Sequence, residues 1–162
     1  MPPETFTIFG NTMSVANTIQ FHYLSAPFPF VNRRKLKFFF AQLLTEEEQT
    51  AEAINIIFCT DAYLLKMNQD YLKHNTYTDV ITFQLSNKGV PLIADIYISV
   101  DRVKANAVTY QTSFNQELHR VMFHGLLHLC GYTDKTISTA KLIKDKEDFY
   151  LRQYFVSREI DL

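Results

Sequence analysis

The residues of this chain most able to do chemistry lie in the run His124-Gly-Leu-Leu-His128-Leu-Cys-Gly-Tyr-Thr-Asp134. On a helix, two histidines four residues apart sit only about 40° from one another around the axis, so both imidazoles leave the same side. Gly131 suits the left-handed residue that ends a helix. The short turn after it can bring the Asp134 carboxylate back toward the two rings. Two imidazoles and a carboxylate are the protein ligands of an open catalytic metal site.

The flanking residues sharpen that reading. A His-x-x-x-His pair alone is common on solvated or packed helix faces. Here Val121, Met122, Leu126, Leu127 and Leu129 make the helix apolar on most sides. Burying two imidazoles without partners is costly, and a metal satisfies both. Gly125 stands where a zinc peptidase of the His-Glu-x-x-His type carries its general base, which argues against peptide hydrolysis by that route. His119, five residues before His124, points elsewhere around the helix and reads as structural or exposed. Cys130 lies about 200° from His128 around the axis, and a free cysteine usually behaves as a small buried hydrophobe. Asp79 and Asp95 stand at or near strand starts. Each has two open readings, turn chemistry or a carboxylate beside the metal that accepts hydrogen bonds or carries protons.

Positioning these groups requires elements that the hydrophobic pattern supplies. Ile19 to Leu24, Ala53 to Cys59, Asp79 to Leu85 and Ile93 to Val100 read as strands. Helices are expected from Asn32, as cap, to about Glu48; from Thr60 and Asp61 to Leu72; and over Asp101 to Tyr110, Phe114 to Cys130 and Ser138 to about Phe155. The order β-α-β-α-β-β-α-α-α predicts an α+β fold with one mixed four-stranded sheet packed by about five helices. Residues 1–17 lack a period and read as a loose extension, leaving 18–162 as one domain.

Composition limits the classes available. No apolar run approaches the roughly 20 residues needed to span a bilayer, and no membrane partner is expected. The N-terminus lacks the basic-then-apolar order of a secretory signal. Cys59 and Cys130 are the only cysteines, too few for a disulfide framework and suited to a reducing cytoplasm. The formal net charge of -1 gives no general attraction to nucleic acid, so any such contact needs a local patch. Arg33, Arg34, Lys35 and Lys37 form the dense basic cluster. It sits at the positive end of its helix, which is unfavourable for the helix and suits phosphate binding; a solvated helix face is the plain alternative.

The metal segment also resembles the signature of the YbeY family, metal-dependent endoribonucleases of ribosomal RNA maturation. Thr78-Asp79-Val80-Ile81-Thr82-Phe83 is similar to the family's T-D-V-L-S-F segment, and Ala94-Asp95-Ile96-Tyr97-Ile98 to its G-D-I-x-I strand. The order and spacing of these pieces hold from about Ile19 to the C-terminus. The resemblance implies a zincin-like metal-dependent hydrolase domain, one zinc ion and single-stranded RNA as substrate. It implies a role in maturing the 3′ end of 16S rRNA on the small ribosomal subunit and in 70S ribosome quality control. His124 and His128 carry over as ligands, and Asp134 stands where the family usually has a third histidine. That set also suits iron(II) or another divalent ion. Leu72 stands where the family commonly has an arginine that can grip phosphate. His74, Lys73 or Arg120 can supply the missing charge, with His74, Arg33, Arg34 and Lys35 the expected substrate contacts and Tyr77 or Tyr132 stacking on bases. The alternative is a ribosome-assembly factor that binds RNA or protein and keeps its metal for structure; an unrelated metallohydrolase of small esters or peptides ranks last.

Overall fold

A computed structural model of the chain describes residues 16–25, 27–30 and 32–160, without the side chains of the last four. Strand β1 (Ile19–Tyr23), helix α1 (Arg33–Glu46), strand β2 (Ala51–Cys59), helix α2 (Asp61–Leu72), strands β3 (Val80–Gln84) and β4 (Leu92–Ser99), and helices α3 (Val100–Thr109), α4 (Phe114–Leu129) and α5 (Ile137–Ile160) follow one another in that order. Among the described residues these nine elements follow the expected order. Residues 1–15 of the proposed extension lie outside the described residues; Ala16 and Asn17 are helical, and Ala16 is buried.

The sheet runs β1-β2-β4-β3. β1, β2 and β4 are mutually parallel, and β3 pairs antiparallel to β4 as an edge strand. Alternation along the strands assigns the two faces. Ile54, Ile56 and Phe58 of β2 and Ala94, Ile96 and Ile98 of β4 enter the main core with Leu36 and Phe40 of α1 and Met122, Phe123 and Leu126 of α4. Ile81 and Cys59 project from the other face and are covered by Leu64 and Met67 of α2. The chain has no tryptophan, and its phenylalanines interlock edge to face, as in Phe40 on Phe123 at 5.7 Å and Phe28 on Phe58 at 5.1 Å.

Local chemistry fixes the helix starts. Thr60, Ser99 and Ser113 accept from the backbone N–H of Tyr63, Arg102 and Gln116, capping α2, α3 and α4. Asn32 departs from the expected cap. It takes a left-handed conformation with φ 59° and its side chain makes no capping bond; only its carbonyl serves, accepting from Leu36 N at 2.9 Å. α1 also stops at Glu46 rather than Glu48, because the chain turns left-handed at Glu48 with φ 58°. No helix among the described residues is long and apolar enough to cross a membrane.

Candidate metal centre

Helix α4 lies so close to the sheet at Gly125 that even a methyl there would force a neighbour to shift. A Cβ there would come within 2.8 Å of Ile96 Cγ2 on β4 and 3.3 Å of Thr82 Oγ1 on β3. That close approach sets α4 on the sheet and leaves His124 and His128 to leave the helix together. α4 ends at Leu129. Cys130 N donates to Leu126 O and Leu127 O, and Gly131 continues at φ 98°, a conformation that a side chain would strain. The chain then reverses, and Tyr132 N returns to Leu127 O at 3.1 Å.

The reversal brings Asp134 to the rings as the spacing predicts. His124 Nε2 and His128 Nε2 are 2.8 Å apart, and Asp134 Oδ2 lies 3.6 and 3.8 Å from them. These separations bracket the ~3.4 Å edge of a tetrahedron whose centre is ~2.1 Å from each corner, the usual zinc–nitrogen distance. His124, His128 and Asp134 are the group of three among the described residues whose ligand atoms converge within 4.8 Å.

The far sides of the rings decide what the near sides can hold. His128 Nδ1 lies 2.9 Å from the Tyr132 carbonyl, which only accepts, so Nδ1 carries the proton. His124 Nδ1 lies 3.4 Å from Glu147 Oε1, a buried carboxylate of α5. Both outer protons point away, so once Nε2 is deprotonated the two rings and an aspartate oxygen offer three inward lone pairs that fit a cation. A carboxylate or carbonyl on the outer nitrogen is also the common support of a metal-ligating histidine.

The surrounding field is acidic. Burial disfavours a charged His124, but its bond to Glu147 and the charges of Glu147, Asp79 and Asp134 outweigh this, so its pKa lies above the usual imidazole value. Burial and neighbouring His124 hold His128 below that value. Burial raises the Asp79 carboxyl, although His124 pulls it down.

Two clefts meet at the triad, and Asp79, His124 and Asp134 line both. One, of about 600 Å3, runs between α3, α4 and α5 past Asn106, Tyr110, Glu117, Arg120 and Lys144. The other, of about 710 Å3, follows edge strand β3 past His74, Tyr77, Thr82, Gln84 and Lys135. Asp79 thus stands beside the triad, held by Asn106 Nδ2 at 3.2 Å. His74 and Leu72 both line the second cleft, and Arg120 lines the first, paired with Asp148 at 2.7 Å. Lys73 instead caps α2 in a left-handed conformation and donates to Asp70 O.

Other candidates are not brought to the triad. Asp95 lies one residue from Ile96, whose side chain meets α4, and so projects from the opposite face of the sheet. There it accepts from Asn55 Nδ2 at 3.0 Å, and Asn55 Oδ1 pairs with His22 at 3.0 Å. Arg33, Arg34 and Lys35 line neither cleft; Arg33 donates to the Tyr23 hydroxyl at 2.6 Å and lies over the Tyr23 and Phe30 rings. Tyr132 does not offer a free ring. Its hydroxyl donates to Glu47 Oε2 at 2.8 Å, and Lys146 lies 5.7 Å over its face. Tyr77 lines the second cleft with Arg102 4.9 Å over its ring. Cys130 stays out of the site, its thiol pushed by burial to about 12 and therefore protonated. His119 is buried, its Nδ1 bonded to Asn115 O at 2.6 Å and its ring stacked on Tyr154.

Sequence reasoning missed Glu147 and Glu47. Glu47, at the end of α1, accepts from Tyr132 Oη, Lys146 Nζ at 3.0 Å and Tyr150 Oη at 2.7 Å. Burial would raise its carboxyl, but these three bonds hold it below the usual range. Glu47 therefore ties the turn carrying Tyr132 and Asp134 to α1 and α5. No local signal marked either residue, since their partners come from distant elements.

Comparison with known proteins places this architecture. Residues 29–155 match the family described as Endoribonuclease YbeY. The chain belongs to the YbeY family. It is similar to the Endoribonuclease YbeY of Flavobacterium psychrophilum, 45% identical over 118 residues that span 73% of this chain and 84% of that protein. It is also similar to that of Flavobacterium johnsoniae, 39% identical over 140 residues covering 86% and 99%. A solution structure of a Thermotoga maritima protein shares the fold with a TM-score of 0.60, at 23% identity, over 88% of this chain and 93% of that one. The α+β architecture expected from the order of elements is thus this chain's own and is shared with that Thermotoga protein.

Proposed function

We propose that this YbeY-family chain is a metal-dependent endoribonuclease that cleaves single-stranded rRNA, in a single metal-dependent hydrolase domain over 18–162. The observation that carries this reading is the convergence of three acceptors, His124 Nε2, His128 Nε2 and Asp134 Oδ2, with their outer partners in place. A divalent ion, zinc or alternatively iron(II), would supply a Lewis acid for a phosphodiester oxygen and acidify water for attack on phosphorus. Glu147 and the Tyr132 carbonyl orient the two imidazoles. Asp79, beside His124 and held by Asn106, takes up the proton at its carboxylate. Clefts on both sides of the triad suit a strand that continues past the scissile bond in each direction, as internal cleavage requires.

Lys135, with the His74 imidazole in the same lining, gives the second cleft the charge that Leu72 does not. Arg33, Arg34 and Lys35 form a separate contact for the phosphate backbone of the small ribosomal subunit. The expected setting is the cytoplasm, in 16S rRNA 3′-end maturation and 70S ribosome quality control. His128→Ala should lose both bound metal and cleavage of single-stranded RNA while keeping its helical spectrum. Equal cleavage by metal-replete wild type and His128→Ala would refute the reading. A second reading, an assembly factor with a structural metal, draws on apolar Leu72 in the cleft; RNA binding without turnover by the metal-loaded wild type would favour it.

A further inference from the structure

The second cleft has little charge by which to hold RNA. Among the described residues Lys135 is the lysine or arginine of its lining, set against the carboxylates of Asp79 and Asp134. Attraction to a phosphate backbone grows with the cations offered to it, so away from the triad the grip in this cleft has to come from the bases. Two large apolar side chains stand open there: Leu72, 44% exposed, and Tyr77, 56% exposed. Leucine offers a phosphate nothing, whereas an aromatic face is what an unpaired base stacks on.

Tyr77 is also ordered in advance. Its loop, between α2 and β3, is tied to α2 at buried Asn68. The Asn68 side-chain amide donates to Thr76 O at 2.8 Å, and the Asn68 carbonyl accepts from His74 N at 3.1 Å. From α3 the Arg102 guanidinium lies 4.9 Å over the Tyr77 ring. Asp61 fixes that guanidinium through two bonds, Nη2 to Oδ2 at 2.7 Å and Nε to Oδ1 at 3.4 Å, and Ser99 Oγ donates to the same carboxylate. Arg102 is thereby neutralised, and what it gives Tyr77 is position. The cation takes one face of the ring; the exposed remainder belongs to the cleft.

We propose that Tyr77 is the stacking platform for a base beside the cleaved bond, and that Arg102 is the positioning residue that sets its ring. Two residues separate Tyr77 from Asp79, at most about 7 Å of chain, and Asp79 stands beside the triad. Ordering the ring in the free protein removes entropy that a loose tyrosine would lose on binding. Every base has a face to stack, so the platform reads single strands rather than sequence, and a base paired in a duplex cannot reach it. Tyr132, its hydroxyl and one face already engaged, does not serve this role. The inference rests on the RNA reading above and adds to it which side chain takes the base.

The test uses the full-length, metal-loaded protein and an oligouridine carrying one 2-aminopurine, a base whose fluorescence is quenched by stacking, moved through successive positions and read on mixing. Wild type should quench the label at one position. Tyr77→Leu should lose that quenching and weaken binding about tenfold, the lower part of the range for one base–aromatic stack, raising KM more than it lowers kcat; Tyr77→Phe should restore both. An abasic nucleotide at the quenched position should cost wild type about as much as Tyr77→Leu does, and cost Tyr77→Leu nothing more. Arg102→Gln should raise KM about threefold, the scale of ordering one side chain on binding, for the intact oligonucleotide and not for the abasic one. Quenching retained in Tyr77→Leu, or an abasic penalty that adds to that substitution, would overturn the platform, and an equal rise of KM on both oligonucleotides would overturn the role of Arg102. Tyr77 is exposed, so its variants decide the platform should Arg102→Gln fail to fold. Cleavage by wild type with no position quenched would sink the platform and spare the nuclease; quenching that depends on Tyr77 in a protein that cuts no RNA would do the reverse.

Discussion

The outward nitrogens of the two histidines govern the site as much as the inward ones. Glu147 holds the proton on His124 Nδ1 and adds negative charge behind the ring, which makes Nε2 a better ligand. Glu147→Gln keeps an acceptor there and removes the charge. It should weaken metal affinity about 10- to 100-fold, as loss of such support typically does, in chelator competition with the fold intact. An unchanged affinity would mean that the 3.4 Å contact does not support the ligand. The triad itself was legible because its members lie within eleven residues and helix periodicity fixes their directions. Glu147 was not, because a glutamate on a long charged helix looks like any solvated position until α5 is docked on α4. Asp79 and Asp95 were indistinguishable as residue types, yet strand alternation held the answer. Ala94, Ile96 and Ile98 enter the main core, so Asp95 faces the other way.

Among the elements, α4 and the end of α1 make the site possible. Gly125→Ala would press a methyl against Ile96 Cγ2, a branch close to the backbone that cannot swing aside cheaply. The expected loss is about 1–3 kcal/mol of stability, the usual effect of overpacking a dense core, in denaturant titration. A loss under half that would show that α4 can lift from β4. Glu47 links α1 to the metal-bearing turn, and its pH dependence has a definite sign. A carboxyl whose folded pKa lies below its ordinary 4.5 contributes stability that is fully present above that value and lost as pH falls through the folded one. Wild type should therefore lose more stability than Glu47→Gln on acidification just below pH 4.5, and parallel acid curves would contradict the role of Glu47. The element order was readable because each segment has a clear period and its own cap or turn. The end of α1 was not, since Glu46 to Glu48 are similar residues, and a left-handed backbone at Glu48 rather than composition stops the helix.

At the scale of the whole molecule, the metal ligands come from α4 and the turn after it, and their supports from α1 and α5. A bound ion therefore fastens elements that otherwise meet only through side chains. Zinc at a hundred times its dissociation constant should stabilise the fold by roughly 2.7 kcal/mol by mass action, seen as a rise in Tm of several degrees. Asp134→Ala should show much less of that rise; an equal rise in the two proteins would place the ion elsewhere. Net charge concealed how this nearly neutral chain could meet RNA, because the relevant cations, Lys135 and Lys144, come from separate segments and are found together only at the clefts.

The Gly125–Ile96 contact also bears on what this scaffold can become. A protein engineer who wished to turn the helix into a proteolytic one would have to install a glutamate between the histidines, at a position where a Cβ already presses on Ile96. Hollowing the strand beneath by shortening Ile96 would have to come first, at the expense of the very packing that aims the imidazoles. The route from this scaffold to peptide-bond cleavage thus meets a packing cost before any chemistry is tried.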